Sequence, residues 1–196
     1  MLSCGCRHVD AILFTHEHAD HTAGLDDIRP FYFKQGDIPF FAHQRVLENL
    51  TKRFDYIFEK ENKYPGAPSV EINEVVNGKS FLIGDKMAVP IDVMHGNLQV
   101  FGYRIDDFAY LTDVKTISEK EIEKLKGVKV LVVNALRIEP HDKHFNLEEA
   151  LRFIEIIKPE RTYLTHISHI FGFHEEIEKT LPENVFLAYD NLEITI

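Results

Sequence analysis

The chain has 196 residues, 44% of them hydrophobic, which is enough to bury one core and lies within the ordinary size of a single domain. Against 32 acidic side chains stand 22 basic ones, and the net charge of -10 opposes attraction to nucleic-acid backbones and to anionic membranes. No apolar run approaches the roughly 18 residues of a spanning helix, and Met1 to His8 lacks the apolar centre of a signal peptide, so a soluble cytoplasmic protein with no membrane partner is expected.

In chain order, Val9 to Thr15 (VDAILFT) is a short apolar run with the character of a buried strand, and the polar segment His16 to His21 follows it as a loop. Thr22 to Phe33 reads as helix. Val46 to Pro68, rich in aromatic and charged residues, reads as a helix and loop, a candidate lid or substrate wall. Met87 to Met94 (MAVPIDVM) predicts a strand ending at His95-Gly96. Val100 to Ile105 and Phe108 to Leu111 flank Asp106-Asp107 as a hairpin, with Asp113 just past its second strand. A charged helix is expected over Ser118 to Lys126. Val128 to Ala135 (VKVLVVNA) is apolar almost throughout, as a strand buried on both faces is.

Asn146 to Ile157 places Leu147, Ala150, Leu151, Ile154 and Ile157 at helical spacing, with Asn146 as cap and Pro159 beyond the end. A strand over Arg161 to Thr165 stops at His166. A helix near Phe173 to Leu181 and two strands, Val185 to Tyr189 and Leu192 to Ile196, complete the pattern. Without a repeat, a low-complexity stretch or a linker, this predicts one domain over residues 1–196, a layered α/β (α+β) sandwich.

Eleven histidines are the informative excess, because imidazole is the commonest transition-metal ligand. Two cysteines, Cys4 and Cys6, stand too close together and lack a second pair to complete a four-thiolate zinc site. His16-Glu17-His18-Ala19-Asp20-His21 puts two imidazoles on one side of an extended chain, then a carboxylate and a third imidazole where a helix begins. Metal–imidazole and metal–carboxylate bonds of about 2.0–2.2 Å let such a density of donors serve two adjacent ions. The zincin motif is absent, since Asp20 stands where its second histidine would be. Thr15-His16, Thr112-Asp113 and Thr165-His166 each place a donor directly after a hydroxyl residue that closes an apolar run. Three strands are thus expected to deliver donors to one sheet edge. Taken singly, His95 or Asp113 is as compatible with a turn as with a ligand.

At Thr15 to His21 the chain resembles the metallo-β-lactamase superfamily, whose signature is Thr-His-x-His-x-Asp-His, and Met94-His95-Gly96, Leu111-Thr112-Asp113 and Leu164-Thr165-His166 match its later ligand positions in order. The resemblance implies an αββα four-layer sandwich and two divalent ions, zinc or manganese, with iron also accepted by such ligands. It puts His16, His18 and His95 on one ion, Asp20, His21 and His166 on the other, and Asp113 between them. Pro140 to Leu151 is similar to the His-Phe-x-Leu-Glu-Glu-Ala stretch of phosphodiesterase-type members, above all the phosphoribosyl cyclic phosphodiesterases of phosphonate breakdown. That likeness implies hydrolysis of a small cyclic or nucleotide-like phosphodiester by a hydroxide shared between the ions. His144 then assists the leaving group, and Asp20 is counted with it among the catalytic residues; a polar helix entrance is the plainer reading of His144.

His141 and His169 are candidates for contact with substrate phosphate or for partnership with ligand imidazoles, and Asp190 for such a partner or a turn residue. Arg29 and Arg137 are candidate phosphate donors, with salt bridging as their commoner fate, while His8, His43 and His174 are expected to be structural or at the surface. Family members carry two or more strands before the signature, which here begins at residue 16, and Met1-Leu2-Ser3 reads as the end of the helix that follows them. Relative to the family the chain is therefore expected to be truncated by about 60 N-terminal residues, leaving sheet edges that favour association, for instance as a homodimer. Three other readings stay open: a thioester or lactam hydrolase, a tRNA-processing endonuclease, which the acidic balance opposes, and a metal-binding subunit without catalysis.

Overall fold

The computed structural model describes residues 5–196. Cys4 and the helix end expected at Met1-Leu2-Ser3 lie outside the described residues; Cys6 is a free, partly buried thiol whose Sγ donates to His8 O over 3.2 Å. The chain forms two compact units, Met1–Val76 and Asn77–Ile196.

The first unit is built on a parallel sheet in the order β1 (Ile12–Leu13), β2 (Ile38–Ala42), β3 (Val70–Glu74). Parallel neighbours need crossovers, and helices supply them. Between β1 and β2 run α1 (Ala19–Thr22), a 3-10 turn (Ala23–Ile28) and α2 (Arg29–Gln35); between β2 and β3 run α3 (Gln44–Arg53) and α4 (Asp55–Phe58). The core gathers Phe14, Leu25, Ile28, Phe31, Phe40, Val46, Leu50 and Ile57, with the Phe14 and Phe40 rings edge-on at 5.0 Å. Among the described residues β3 pairs only with β2 and forms an edge of this sheet.

Three local expectations change here. The strand expected over Val9 to Thr15 contracts to Ile12–Leu13, because the Gln35 carboxamide takes both backbone groups of Val9, accepting from its N–H (3.0 Å) and donating to its carbonyl (2.7 Å). Thr22 to Phe33 is not one helix: Gly24 weakens it, and the α-helix restarts at Arg29, where Pro30 suits a first turn whose N–H groups are unpaired anyway. The strand β2 escaped the sequence reading because Pro39, which cannot donate to a ladder, interrupts an otherwise apolar run.

The second unit holds β4 (Phe81–Ile83), β5 (Lys86–His95), β6 (Leu98–Ile105), β7 (Phe108–Leu111), β8 (Thr116–Ile117), β9 (Val130–Asn134), β10 (Arg161–Thr165) and β11 (Val185–Leu187). They form one mixed sheet in the order β11-β10-β9-β7-β6-β5-β4, with β8 beside β5. The β4 to β7 half is antiparallel, and its β6–β7 hairpin turns at Asp106, whose φ of 50° is the left-handed conformation such turns need. From β7 onward the neighbours are parallel. The strand β9 is buried at all five positions, as its unbroken apolar run demands.

One face of this sheet, with Leu131, Val133, Leu164 and Leu187, packs in a cluster with Ala150, Phe153, Ile154 and Ile157 of α6 (Leu147–Ile157). Two short helices, α5 (Glu119–Glu123) and α7 (His174–Glu178), complete the unit. The strand expected at Leu192 to Ile196 does not form. After Asn191 turns the chain (φ 65°), Leu192 and Ile194 lie against Val130, Val132 and Tyr163, so their alternation covers the opposite sheet face instead of entering a ladder.

Candidate metal centre

In the first unit Thr15 and His16 leave β1 buried, and the rest of the signature folds back at once into α1. Thr15 Oγ1 lies 3.1 Å from His16 Nδ1, which fixes that nitrogen and leaves Nε2 to face His18 Nδ1 at 2.9 Å. At 2.9 Å the two nitrogens are within hydrogen-bond reach, and this is close to the roughly 3.3 Å at which two imidazole nitrogens stand on a tetrahedral ion. The His21 ring is 4.3 Å from that of His16, and Asp20 Oδ2 is 3.2 Å from His21 Nε2. His18, Asp20 and His21 crowd together because α1 begins here, with the His18 carbonyl accepting from His21 N (3.2 Å) and Thr22 Oγ1 (2.8 Å).

Glu17, between the two histidines, turns away from them and is held by both guanidinium donors of Arg45, at 2.9 and 3.2 Å. Burial raises its carboxyl pKa, but Arg45 outweighs that and keeps it below the ordinary carboxylate value. Arg53 adds bonds of 2.9 Å to the Glu17 carbonyl and to Thr22 Oγ1. Two arginines thus brace the signature loop against α3.

In the second unit the parallel strands end level, Leu111 beside Val133 and Asn134 beside Thr165, so the segments after β7, β9 and β10 emerge at one edge. Asp113 and His166 follow β7 and β10, and His95 ends β5. Asp113 is 1% exposed, and its Oδ1 lies 2.9 Å from His166 Nε2. His95 Nδ1 donates to Lys143 O (2.8 Å), which directs Nε2 as the ligating nitrogen. Donor atoms of Asp113, His144 and His166 all fall within 4.8 Å of one another.

His144 occupies the middle of this group, its ring 4.4 Å from that of His95 and stacked 4.9 Å from that of His166. Its Nδ1 is buried without a hydrogen-bond partner, since Asp113 Oδ1 at 3.6 Å is too far for one. Burial is the first cause that lowers its pKa to about 4, and the neighbouring imidazoles add to it against the opposing pull of Asp113. The ring is therefore neutral at physiological pH, able to donate from one nitrogen and accept at the other.

Donors of these kinds suit divalent transition ions: clustered imidazoles, His95 with its tautomer set by a carbonyl, a buried carboxylate and an orphaned buried nitrogen. The His141 ring is 5.0 Å from that of His144, and its Nδ1 accepts from Lys143 N (3.1 Å), while His169 lies exposed on the loop after His166 and makes no described contact with the group. Arg29 pairs with Asp26, Arg137 donates to the Glu139 and Pro140 carbonyls, and Asp190 is exposed in the turn after β11. His43 caps α3 by accepting from Arg45 N. Sequence reading missed Arg45, Arg53 and Asn134. Only Asn134 carried a signal there, as the lone polar residue in a doubly buried strand.

A family model described as the beta-lactamase superfamily domain matches residues 4–167. The chain belongs to this superfamily and has the metallo-β-lactamase fold. Within it the chain is similar, at 35% identity and a TM-score of 0.89, to a crystal structure of a new diphosphatase from the PhnP family, covering 100% of this chain and 74% of that one. It is 38% identical over 196 residues to a Porphyromonas gingivalis (strain ATCC BAA-308 / W83) protein named octanoyltransferase, of whose length it spans 39%. The fold also matches Zn(2+)-bound PqqB from Methylobacterium extorquens, with a TM-score of 0.75 at 15% identity over 95% of this chain and 73% of that one. Among the described residues no helix is long and apolar enough to cross a membrane.

Proposed function

We propose that the chain is a dinuclear phosphodiesterase for a small cyclic or nucleotide-like phosphodiester. In this reading His16, His18 and His95 hold one ion, Asp20, His21 and His166 the other, and Asp113 is shared. The observation that carries it is His144, a buried imidazole beyond the seven-donor set whose Nδ1 has no partner and whose ring lies between those of His95 and His166. A pair of divalent ions supplies Lewis-acid stabilisation and a water-derived nucleophile at neutral pH. What remains for side chains is the proton of the leaving alkoxide. A neutral His144 can hydrogen-bond a phosphoryl oxygen, and the negative charge of that phosphate favours the protonated ring, which then has a proton to give. The related diphosphatase supports phosphate as the reacting group, and the net charge of -10 favours a small substrate over a nucleic acid.

A carbonyl substrate is the second reading, favoured by the acyl-transfer name of the P. gingivalis relative. Metal analysis combined with parallel assays on bis-p-nitrophenyl phosphate and p-nitrophenyl octanoate separates the two. Two metals per chain and phosphodiester turnover are expected, with His144→Ala keeping the metals but losing about 10²–10⁴ in rate and Asp113→Ala losing both. Ester turnover without phosphodiester turnover would transfer the assignment to the carbonyl reading.

A further inference from the structure

Asn134 ends β9 fully buried, and its carboxamide engages both backbone groups of one residue: Oδ1 accepts from Val114 N (2.7 Å) and Nδ2 donates to Val114 O (3.2 Å). The backbone bonds around this pair reach the neighbours of His95, His144 and His166, and Val114 itself adjoins Asp113. Val114 directly follows Asp113, and its carbonyl also accepts from Phe145 N (2.7 Å), the residue after His144. Lys115 N donates to Met94 O (2.8 Å), the residue before His95. Ala135 N, next to Asn134, donates to Thr165 O (3.0 Å), the residue before His166. Each of the four side chains therefore sits one residue from a backbone bond made by Val114 or by a chain neighbour of the pair, or is itself next to Val114.

We propose that Asn134 is a positioning residue for the metal centre, setting Asp113 in its left-handed conformation and, through Val114 and Phe145, fixing the Asp113–His144 separation. A side chain is needed because Asp113 turns the chain away from β7, so Val114 has no strand partner and its N–H would otherwise be buried unpaired, while its carbonyl is shared between Asn134 and Phe145 N. The inference rests on Asp113 and His166 being ligands and not on the identity of the substrate.

The test compares the parent chain with Asn134→Ala, Asn134→Asp and a control, Ile157→Val, which loosens the same core at the far end of α6. Zinc affinity is read by chelator competition, and ring ¹H–¹⁵N resonances of His144 and His166 are read in the metal-free chain. Expected is a loss of zinc affinity of about 10–100-fold in Asn134→Ala, with displaced His144 and His166 resonances, while Ile157→Val lowers the melting temperature and leaves both readouts at parent values. Asn134→Asp keeps the size and the acceptor but loses the donor to Val114 O, so it falls between the two, and it carries the test if the alanine variant does not fold. Parent-like zinc affinity in both Asn134 variants, or an equal loss in Ile157→Val, would overturn the proposal. Zinc binding without phosphodiester turnover by the parent overturns the substrate reading alone.

Discussion

Asp113 and His166 both hold left-handed backbone, with φ of 58° and 55°. For a residue with a Cβ this costs roughly 1–2 kcal/mol, and such conformations persist where the surroundings over-determine them, commonly at functional sites. Asparagine accepts this conformation at least as well as aspartate and removes a carboxylate buried beside imidazoles. Asp113→Asn should therefore melt, in excess chelator, at or above the parent temperature while binding zinc far more weakly. A lower melting temperature without metal would mean that the carboxylate stabilises the fold itself. Glu149 gives a pH-dependent case: burial pushes its carboxyl up, but hydrogen bonds from Lys115 (2.7 Å) and the Asn146 N–H (3.0 Å) outweigh this and hold it below the ordinary value of 4.5. A depressed folded pKa contributes stability that is complete above the unfolded value and lost as pH falls through the folded one. The stability difference between parent and Glu149→Gln should thus be largest at neutral pH and fade below pH 4.5, as denaturant titrations at stepped pH will show.

At the scale of elements, α6 was fully legible because its signals are local. Asn146 and Glu149 form a reciprocal capping box, Ala150, Ile154 and Ile157 mark the buried face, and Pro159 stands past the end. Its C-cap is Lys158 at φ 56°, a position that usually carries glycine. Lys158→Gly should stabilise the chain by about 0.5–1 kcal/mol, seen as a rise of roughly 1–4 °C in melting temperature. What the sequence hid depends on distant partners. No pattern around Val9 shows that Gln35, 26 residues away, will satisfy its backbone and end the strand there. Nor does the alternation of Leu192 and Ile194 say whether it serves a ladder or a sheet face; the turn at Asn191 decides it.

Over the whole molecule the candidate donors stood out in the sequence, whereas their supports, apart from the lone polar Asn134 in its strand, did not. Histidines and aspartates after apolar runs advertise their chemistry one residue at a time. Arg45 and Arg53 act on Glu17 from 28 and 36 residues away, and Asn134 acts on Val114 from 20 away, distances over which only the folded chain relates them. One feature of the first unit bears on handling the protein. The edge strand β3 carries the partly buried Val70 and the exposed Ile72 together with exposed Glu71 and Glu74. Those charges, with the net -10 of the chain, keep identical edges from zippering together. Salt screens that repulsion, so purified stocks should turn cloudy first at high ionic strength. Ile72→Lys should delay the haze in a light-scattering series, whereas an unchanged onset would place the sticky surface elsewhere.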